Sequence, residues 1–198
     1  MTGSNGIDVS NHNGQMNLSS GFTNLDFVIA KCTEGINFVD PTFAYYESQA
    51  LLLNKEFGAY HFLHAENLDG ESEALFFLSH FTPRSGIGVW IDYETYGISG
   101  NVDVEIASLF SETIKARYPK QKVGLYANLT GMHKIVPLGI DAATDAFWLA
   151  YPTGQLETPD RPMPDGKSWM VHQYETFQGV DRDYSRWLPG QMRQFFTW

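Results

Sequence analysis

At 198 residues, with 43% hydrophobic and 18% charged side chains, the chain has the length and composition of one globular domain with a sizeable core. Its formal net charge of −10 excludes the clustered Lys and Arg that neutralise phosphates, so no nucleic-acid partner is expected. No apolar run approaches the roughly 20 residues of a membrane helix, and "MTGSNGIDVS" has neither the charged nor the apolar region of an export signal. Membrane insertion and signal-directed export are therefore not expected.

Strand-like runs recur from end to end: "GIDVS" from 6, "FVIAKC" from 27, "FGAYHFL" from 57, "IGVWIDYE" from 87, "KVGLYAN" from 122, "AFWLAYP" from 146, "WMVHQYE" from 169 and "GVDRDY" from 179. Helical patterns lie between several of them. In "DPTFAYYESQALLLNKEFG" Asp40 reads as the N-cap, Pro41 as the first helical residue and Gly58 as the residue past the end. "GESEALFFLSHF" and "NVDVEIASLFSETIKARYP" read the same way, the second stopped by Pro119. Strands alternating with helices predict parallel pairing through right-handed crossovers, and eight strands can close into a TIM-like α/β barrel. The spacings shorten toward the C-terminus, so the last connections read as loops. "TGQLETPDRPMPDG", 153–166, suits a long surface loop. The single cysteine, Cys32, lies in an apolar run and reads as a buried structural thiol.

Within "GVWIDYE" the side chains alternate, so Trp90, Asp92 and Glu94 share one face while Val89, Ile91 and Tyr93 share the other. If the apolar face meets the helices, the two acids face the barrel axis near the C-terminal end of their strand, where barrel enzymes carry their chemistry. Asp8 points inward between Ile7 and Val9 by the same rule. Asp181 does so on the last strand, which in a closed barrel neighbours the first. Four carboxyls at one mouth cannot all stay ionised, so at least one pKa is expected to rise, which is how an enzyme keeps a protonated acid near neutral pH. The structural alternative is that such acids are helix caps, turn formers or salt-bridge partners.

Other inward positions are Tyr60, Phe62, Tyr126, Trp148 and Gln173. Aromatic faces and an amide near carboxyls suit the apolar faces and hydroxyl edges of a sugar chain, although each alone could be a core residue. A metal is the competing use of clustered acids. His61 and His64, three apart in a strand, point to opposite faces and cannot both bind one ion, and His172 faces away from Gln173. Cys32 has no nucleophile motif around it, and no GxSxG or glycine-rich phosphate loop is present.

Taken together, "GIDVSNHNG", "FVIAKCTEGINFVDPTF", "GAYHF", "WIDYE", "VGLYAN", "FWLAYP", "VHQYE" and "GVDRDY" resemble, in order and nearly end to end, glycoside hydrolase family 25, the lysozymes that act as N-acetylmuramidases. The resemblance implies an irregular barrel of eight strands with fewer than eight helices. It also implies hydrolysis of the β-1,4 bond between N-acetylmuramic acid and N-acetylglucosamine of bacterial peptidoglycan, without cofactor or metal. By the family pattern Glu94 is the general acid/base, Asp92, Asp8 and Asp181 complete the acidic set, and Lys31 and Glu34 lie near the cleft. Either Asp181 or Asp8 acts as nucleophile or charge stabiliser, or Asp92 orients the substrate's own 2-acetamido group. A wall-binding repeat region is not seen, so 1–198 is expected to be a single catalytic barrel domain and a monomer. The expected setting is a phage endolysin that accumulates in the host cytoplasm and then reaches the wall, or an extracellular bacterial lysozyme exported by another route. Two rivals are a barrel that binds peptidoglycan without cleaving it and a metal-dependent peptidoglycan amidase.

Overall fold

The computed structural model describes residues 3–64, 69–94, 100–154, 163–185 and 187–198. Most of the Pro-rich stretch read as a surface loop, 155–162, lies outside the described residues. Among the described residues nine strands follow in chain order: β1 (Ser4–Val9), β2 (Phe27–Glu34), β3 (Phe38–Val39), β4 (Glu56–Phe62), β5 (Ile87–Asp92), β6 (Val123–Asn128), β7 (Ala146–Ala150), β8 (Val171–Phe177) and β9 (Val180–Ser185). Among the described residues there are six α-helices: α1 (Leu18–Gly21), α2 (Phe43–Leu52), α3 (Gly70–His80), α4 (Gly100–Arg117), α5 (Leu129–Ile135) and α6 (Gln191–Phe195). Eight strands close into a barrel in the order β1, β2, β4, β5, β6, β7, β8, β9, and the short β3 pairs only with β2 at the rim. All eight predicted strands are present.

The direction expected for the last strand is corrected. Apart from the antiparallel rim strand β3, pairing is parallel around the barrel from β1 to β8, but β9 runs antiparallel to both of its neighbours. The cause is local. Only Gln178 and Gly179 join β8 to β9, and both have left-handed φ values, 53° and 78°. A two-residue connection with positive φ at both positions makes a tight hairpin, whereas a parallel return needs a dozen residues or more. The reversal puts Asp181, near the start of β9, at the same end of the barrel as the C-terminal ends of the other strands. In a parallel last strand the same residue would sit at the opposite end.

Helix α2 also differs in its ends. Thr42 is the N-cap, and Asp40 stands two residues earlier, its Oδ1 accepting from Thr42 N–H at 2.8 Å and from the Thr42 hydroxyl at 2.6 Å. The helix stops at Leu52, before the left-handed Asn54. Gly58 belongs to β4.

The alternation read from the sequence separates two apolar layers. Outward residues of the strands, among them Ile7, Val28, Val89, Ile91 and Leu125, pack with Phe43, Phe77, Phe110 and Ile114 of the surrounding helices. Inward residues form a second cluster around Phe27, Ile29, Trp90 and Trp148, closed at the base by Met192 and Phe196 of the C-terminal segment. Glu56, at the start of β4, accepts from the backbone N–H groups of Gly190 and Arg193 and so fixes the first turn of α6 against the base.

Trp90 fills the middle of this interior, fully buried. It fits because the facing positions on β4, β5 and β6 are Gly58, Gly88 and Gly124; a Cβ on Gly124 would lie 2.2 Å from Trp90 Cε3. Gly124→Ala is therefore expected to destabilise the protein by about 1–3 kcal/mol through overpacking. Gly21→Ala, where an added Cβ meets nothing within 4 Å, should stay within about 0.5 kcal/mol of the parent. Urea unfolding of the two variants checks the contrast, and equal midpoints would show that the interior yields to the extra methyl.

Candidate active site

The acids predicted to converge do so, at the end of the barrel where the parallel strands finish. Asp92 ends β5 and Glu94 follows it by two residues. Asp8 on β1 stands in register opposite Asp181 on β9. Ile7 and Val9 face the helices, as do Val89, Ile91 and Tyr93. Charge couples the set across the opening: Asp8 feels both Asp181 and Glu94, and Asp92 feels both Glu94 and Asp8.

Burial dominates the ionisation of Asp8 and Asp92. Asp8 is pushed from an ordinary 3.8 up to about 7, first by burial and then by Asp181, against the opposing hydrogen bond from Gln173. Gln173 Nε2 donates to Asp8 Oδ2 at 2.8 Å, while the Tyr126 hydroxyl donates to Gln173 Oε1 at 3.2 Å, which orients the amide. Asp92, 7% exposed, is held well above the usual carboxyl range by burial, then by Glu94 and Asp8, with Lys31 pulling the other way. Its Oδ1 is buried and has no hydrogen-bond partner among the described residues. Glu94 and Asp181 are only partly buried, and the Thr176 hydroxyl donates to Asp181 Oδ1.

The structure adds an acid that the sequence reading missed. Asp183, two residues past Asp181 and on the same face of β9, is 1% exposed, and its Oδ1 accepts from Trp148 Nε1 at 2.8 Å. Burial first, and then Asp8, drives its carboxyl well above the ordinary range. The signal was available, since the alternation that selects Asp181 in "VDRDY" selects Asp183 as well.

On β2, the strand beside β1, buried Lys31 pairs with Glu34 and lies over the Phe62 ring, 4.7 Å from its centroid. His64 Nε2 lies 3.0 Å from Glu34 Oε1. Burial raises the Glu34 carboxyl, but the hydrogen bonds and charges of Lys31 and His64 outweigh it, and the net shift is downward. His61 points the other way, as its parity requires. It is fully buried among the helices, with Nδ1 2.8 Å from Thr33 Oγ1 and Nε2 2.8 Å from Glu73 Oε2. Cys32 is buried, its thiol pushed up to about 12 by burial and then by Glu47 and Asp40.

The aromatic residues divide by depth. Phe62 and Tyr126 are partly exposed at the opening, whereas Tyr60 and Trp148 lie beneath it, 7% and 2% exposed. Trp148 packs edge-on against Tyr126 at 4.6 Å and Tyr60 at 6.3 Å. Tyr60 and Trp148 are thus a floor under the acids rather than open stacking faces. Among the described residues no group of three or more His, Cys, Asp or Glu could hold a metal ion.

The family model "Glycosyl hydrolases family 25" matches residues 7–181. A curated relative, the N,O-diacetylmuramidase of Chalaropsis sp, is 28% identical over 141 residues, which cover 62% of this chain and 65% of the relative's length. Among solved structures, a family GH25 lysozyme from Aspergillus fumigatus superposes with a TM-score of 0.84 at 21% identity, covering 100% of both chains. A family 25 glycosyl hydrolase from Bacillus anthracis gives 0.83 at 20% identity over 99% of this chain and 94% of the other. At such identities the two structures bear on the fold alone, and both share it from end to end.

The raised carboxyls make stability depend on pH in a definite direction. A carboxyl whose folded pKa exceeds its unfolded value contributes stability that is complete below the unfolded value and is lost as pH climbs through the folded one. For Asp8 that window runs from about 3.8 to about 7. His61, whose pKa is lowered chiefly by burial, acts in the opposite sense below its ordinary 6.5, so the test is a comparison with Asp8→Asn, which keeps an acceptor for Gln173. Between pH 4 and pH 8 the variant should lose less stability than the parent and be the more stable of the two at pH 8. Urea midpoints across that range read the difference, and parallel curves would contradict it.

Proposed function

This chain belongs to the glycosyl hydrolases of family 25, and from that premise we propose that it hydrolyses the β-1,4 bond between N-acetylmuramic acid and N-acetylglucosamine in bacterial peptidoglycan. The observation that carries the reading is the meeting of Asp8, Asp92, Glu94 and Asp181 at one mouth, with two of them driven toward the neutral form by burial and by their neighbours. The place of action is the bacterial wall. The finer setting we propose is a phage endolysin held in the host cytoplasm until lysis, acting as a monomer, with an extracellular bacterial lysozyme as the alternative.

Glu94, partly exposed just past β5, has the access needed to protonate the leaving glycosidic oxygen and later to activate water. Asp92 is suited to a different task. A 2-acetamido N–H brought to its unpartnered Oδ1 would satisfy that atom and favour its ionised form. Asp92 would then orient the acetamido oxygen toward the anomeric carbon, the substrate-assisted exception to the two-carboxylate scheme. Displacement by the acetamido group and then by water inverts the same carbon twice, so the product retains its configuration. In their ionised forms Asp8 and Asp181 would add negative charge facing the developing oxocarbenium ion. Carboxylate chemistry of this kind requires no cofactor.

Phe62 and Tyr126 offer ring faces to the sugar. Gln173 and the Lys31–Glu34 pair offer polar contacts, and Tyr60 and Trp148 support the acids from below.

Glu94→Gln should fold normally and lose roughly 10²–10⁴-fold in reducing-sugar release from bacterial walls. Asp92→Asn should also lose orders of magnitude, and a negligible loss would leave a direct nucleophilic role for Asp8 or Asp181 as the surviving route. Product analysis tests the reaction class itself: new reducing ends support glycan cleavage, while new amino groups, suppressed by a chelator, would point to an amidase.

A further inference from the structure

The proposed reaction gives no role to Asp183, yet the structure buries this acid directly beneath the mouth. The turn at Gln178 and Gly179 sets β9 so that Asp183 pairs with Gly6 on one side and Gln173 on the other. Its two oxygens differ. Oδ1 accepts from the Trp148 indole at 2.8 Å, whereas Oδ2 is buried with no hydrogen-bond donor among the described residues. Besides the Trp148 indole, the carboxyl of Asp8 lies within hydrogen-bonding reach of Asp183, and it is itself an acceptor toward Gln173. Two ionised carboxylates in that relation would leave a buried oxygen unsatisfied and set like charges side by side. One proton on Asp183 Oδ2 removes both costs, because a neutral carboxyl is a donor.

The location of that proton follows from solvent and donors. Asp8 is only partly buried, stands in the layer of the opening and receives an amide N–H. Asp183 lies one layer deeper, 1% exposed, with an indole as its donor. The better solvated partner holds the charge and the deeper one holds the proton. We propose that Asp183 is a positioning residue that stays protonated and donates through Oδ2–H to Asp8, fixing that carboxylate and keeping its negative charge at the mouth.

The proposal rests on the reading of this mouth as the active site and deepens it. The titratable groups facing the pair are Asp181 on β9, Asp92 on β5, Glu94 just past it, Tyr60 on β4 and Tyr126 on β6, while Lys31 on β2 acts on Asp92. As pH rises, deprotonation of Asp183 converts a donor into a second anion, so the alkaline limit of activity is set in part by this residue.

Two substitutions separate the proton from the charge. Asp183→Asn keeps an oxygen for Trp148 and an N–H for Asp8 but cannot ionise. Asp183→Leu keeps bulk and removes the donor. The first readout is the titration of Asp8 by carboxyl NMR in the folded protein, independent of any substrate; the second is reducing-sugar release from walls across pH. Asp183→Asn should leave the Asp8 midpoint near that of the parent, keep kcat within a factor of about 3 and extend activity to higher pH. Asp183→Leu should raise the Asp8 midpoint by about one unit, a tenfold change in its ionisation equilibrium, and lower kcat more than it changes KM. Asp183→Asn behaving like Asp183→Leu would overturn the proposal, because the charge and not the proton would then be what matters. So would an Asp8 midpoint untouched by Asp183→Leu. If the parent protein releases no reducing sugar, the muramidase reading fails, while the NMR arm still decides whether Asp183 holds the proton.

Discussion

A carboxylate set beside another carboxylate in a poorly solvated interior is unstable unless a proton, a cation or hydrogen-bond donors intervene, and the mouth of this barrel uses all three. Gln173 donates to Asp8, Thr176 to Asp181 and Trp148 to Asp183. Lys31 supplies positive charge toward Asp92 from β2, two strands away around the barrel. Where these fall short, burial and mutual repulsion push the carboxyls toward their neutral forms. The surrounding architecture is arranged around that constraint. A tyrosine hydroxyl orients the glutamine amide, and a packed floor of Tyr60, Trp90 and Trp148 fixes the depth at which each acid sits.

Such a mouth trades stability for reactivity. A barrel of this kind with amides in place of acids would avoid the repulsion and have nothing with which to protonate a glycosidic oxygen. The rest of the molecule offsets the cost through packing that has no part in the chemistry: the Trp90 indole set against three glycines in the barrel interior, an outer apolar layer under the helices, and a base sealed by Met192 and Phe196. The buried His61–Glu73 contact has the same character. It ties β4 to α3, and the Glu73 oxygen that meets His61 also accepts from His64 N–H at 2.9 Å, so the end of β4 next to the opening is anchored from outside the barrel.

Much of this was legible in the sequence because strand alternation is a strict geometric rule. It sorted Trp90, Asp92 and Glu94 from Val89, Ile91 and Tyr93, and Asp8 from Ile7 and Val9, without reference to any tertiary contact. What alternation cannot supply is depth and direction. It treated Tyr60 and Trp148 as equals of Phe62 and Tyr126, because side-chain parity says nothing about how far along the barrel axis a residue lies. It left β9 parallel, since the Gln-Gly pair that turns the chain is a weaker hairpin signal than Asn-Gly. The helix ends were misread for a similar reason. Asp40 is a good capping residue by type, but its carboxylate serves Thr42 and the Asn11 N–H instead. Asp183 escaped notice although the rule applied to it, because a second acid in "VDRDY" looks redundant until its burial is known.

The pairing of β1 with β9 joins the two ends of the barrel: Ser4 lies opposite Ser185 and Asp8 opposite Asp181. Contacts so distant along the chain form only after a long loop-closure cost has been met. The acids at the mouth therefore have no existence as a set in a partly folded chain. Asp92 and Glu94 can be neighbours as soon as β5 forms, and Glu94 already acts on Asp92, but Asp8 meets Asp181 only when β1 pairs with β9, so the full set is assembled only as the barrel closes.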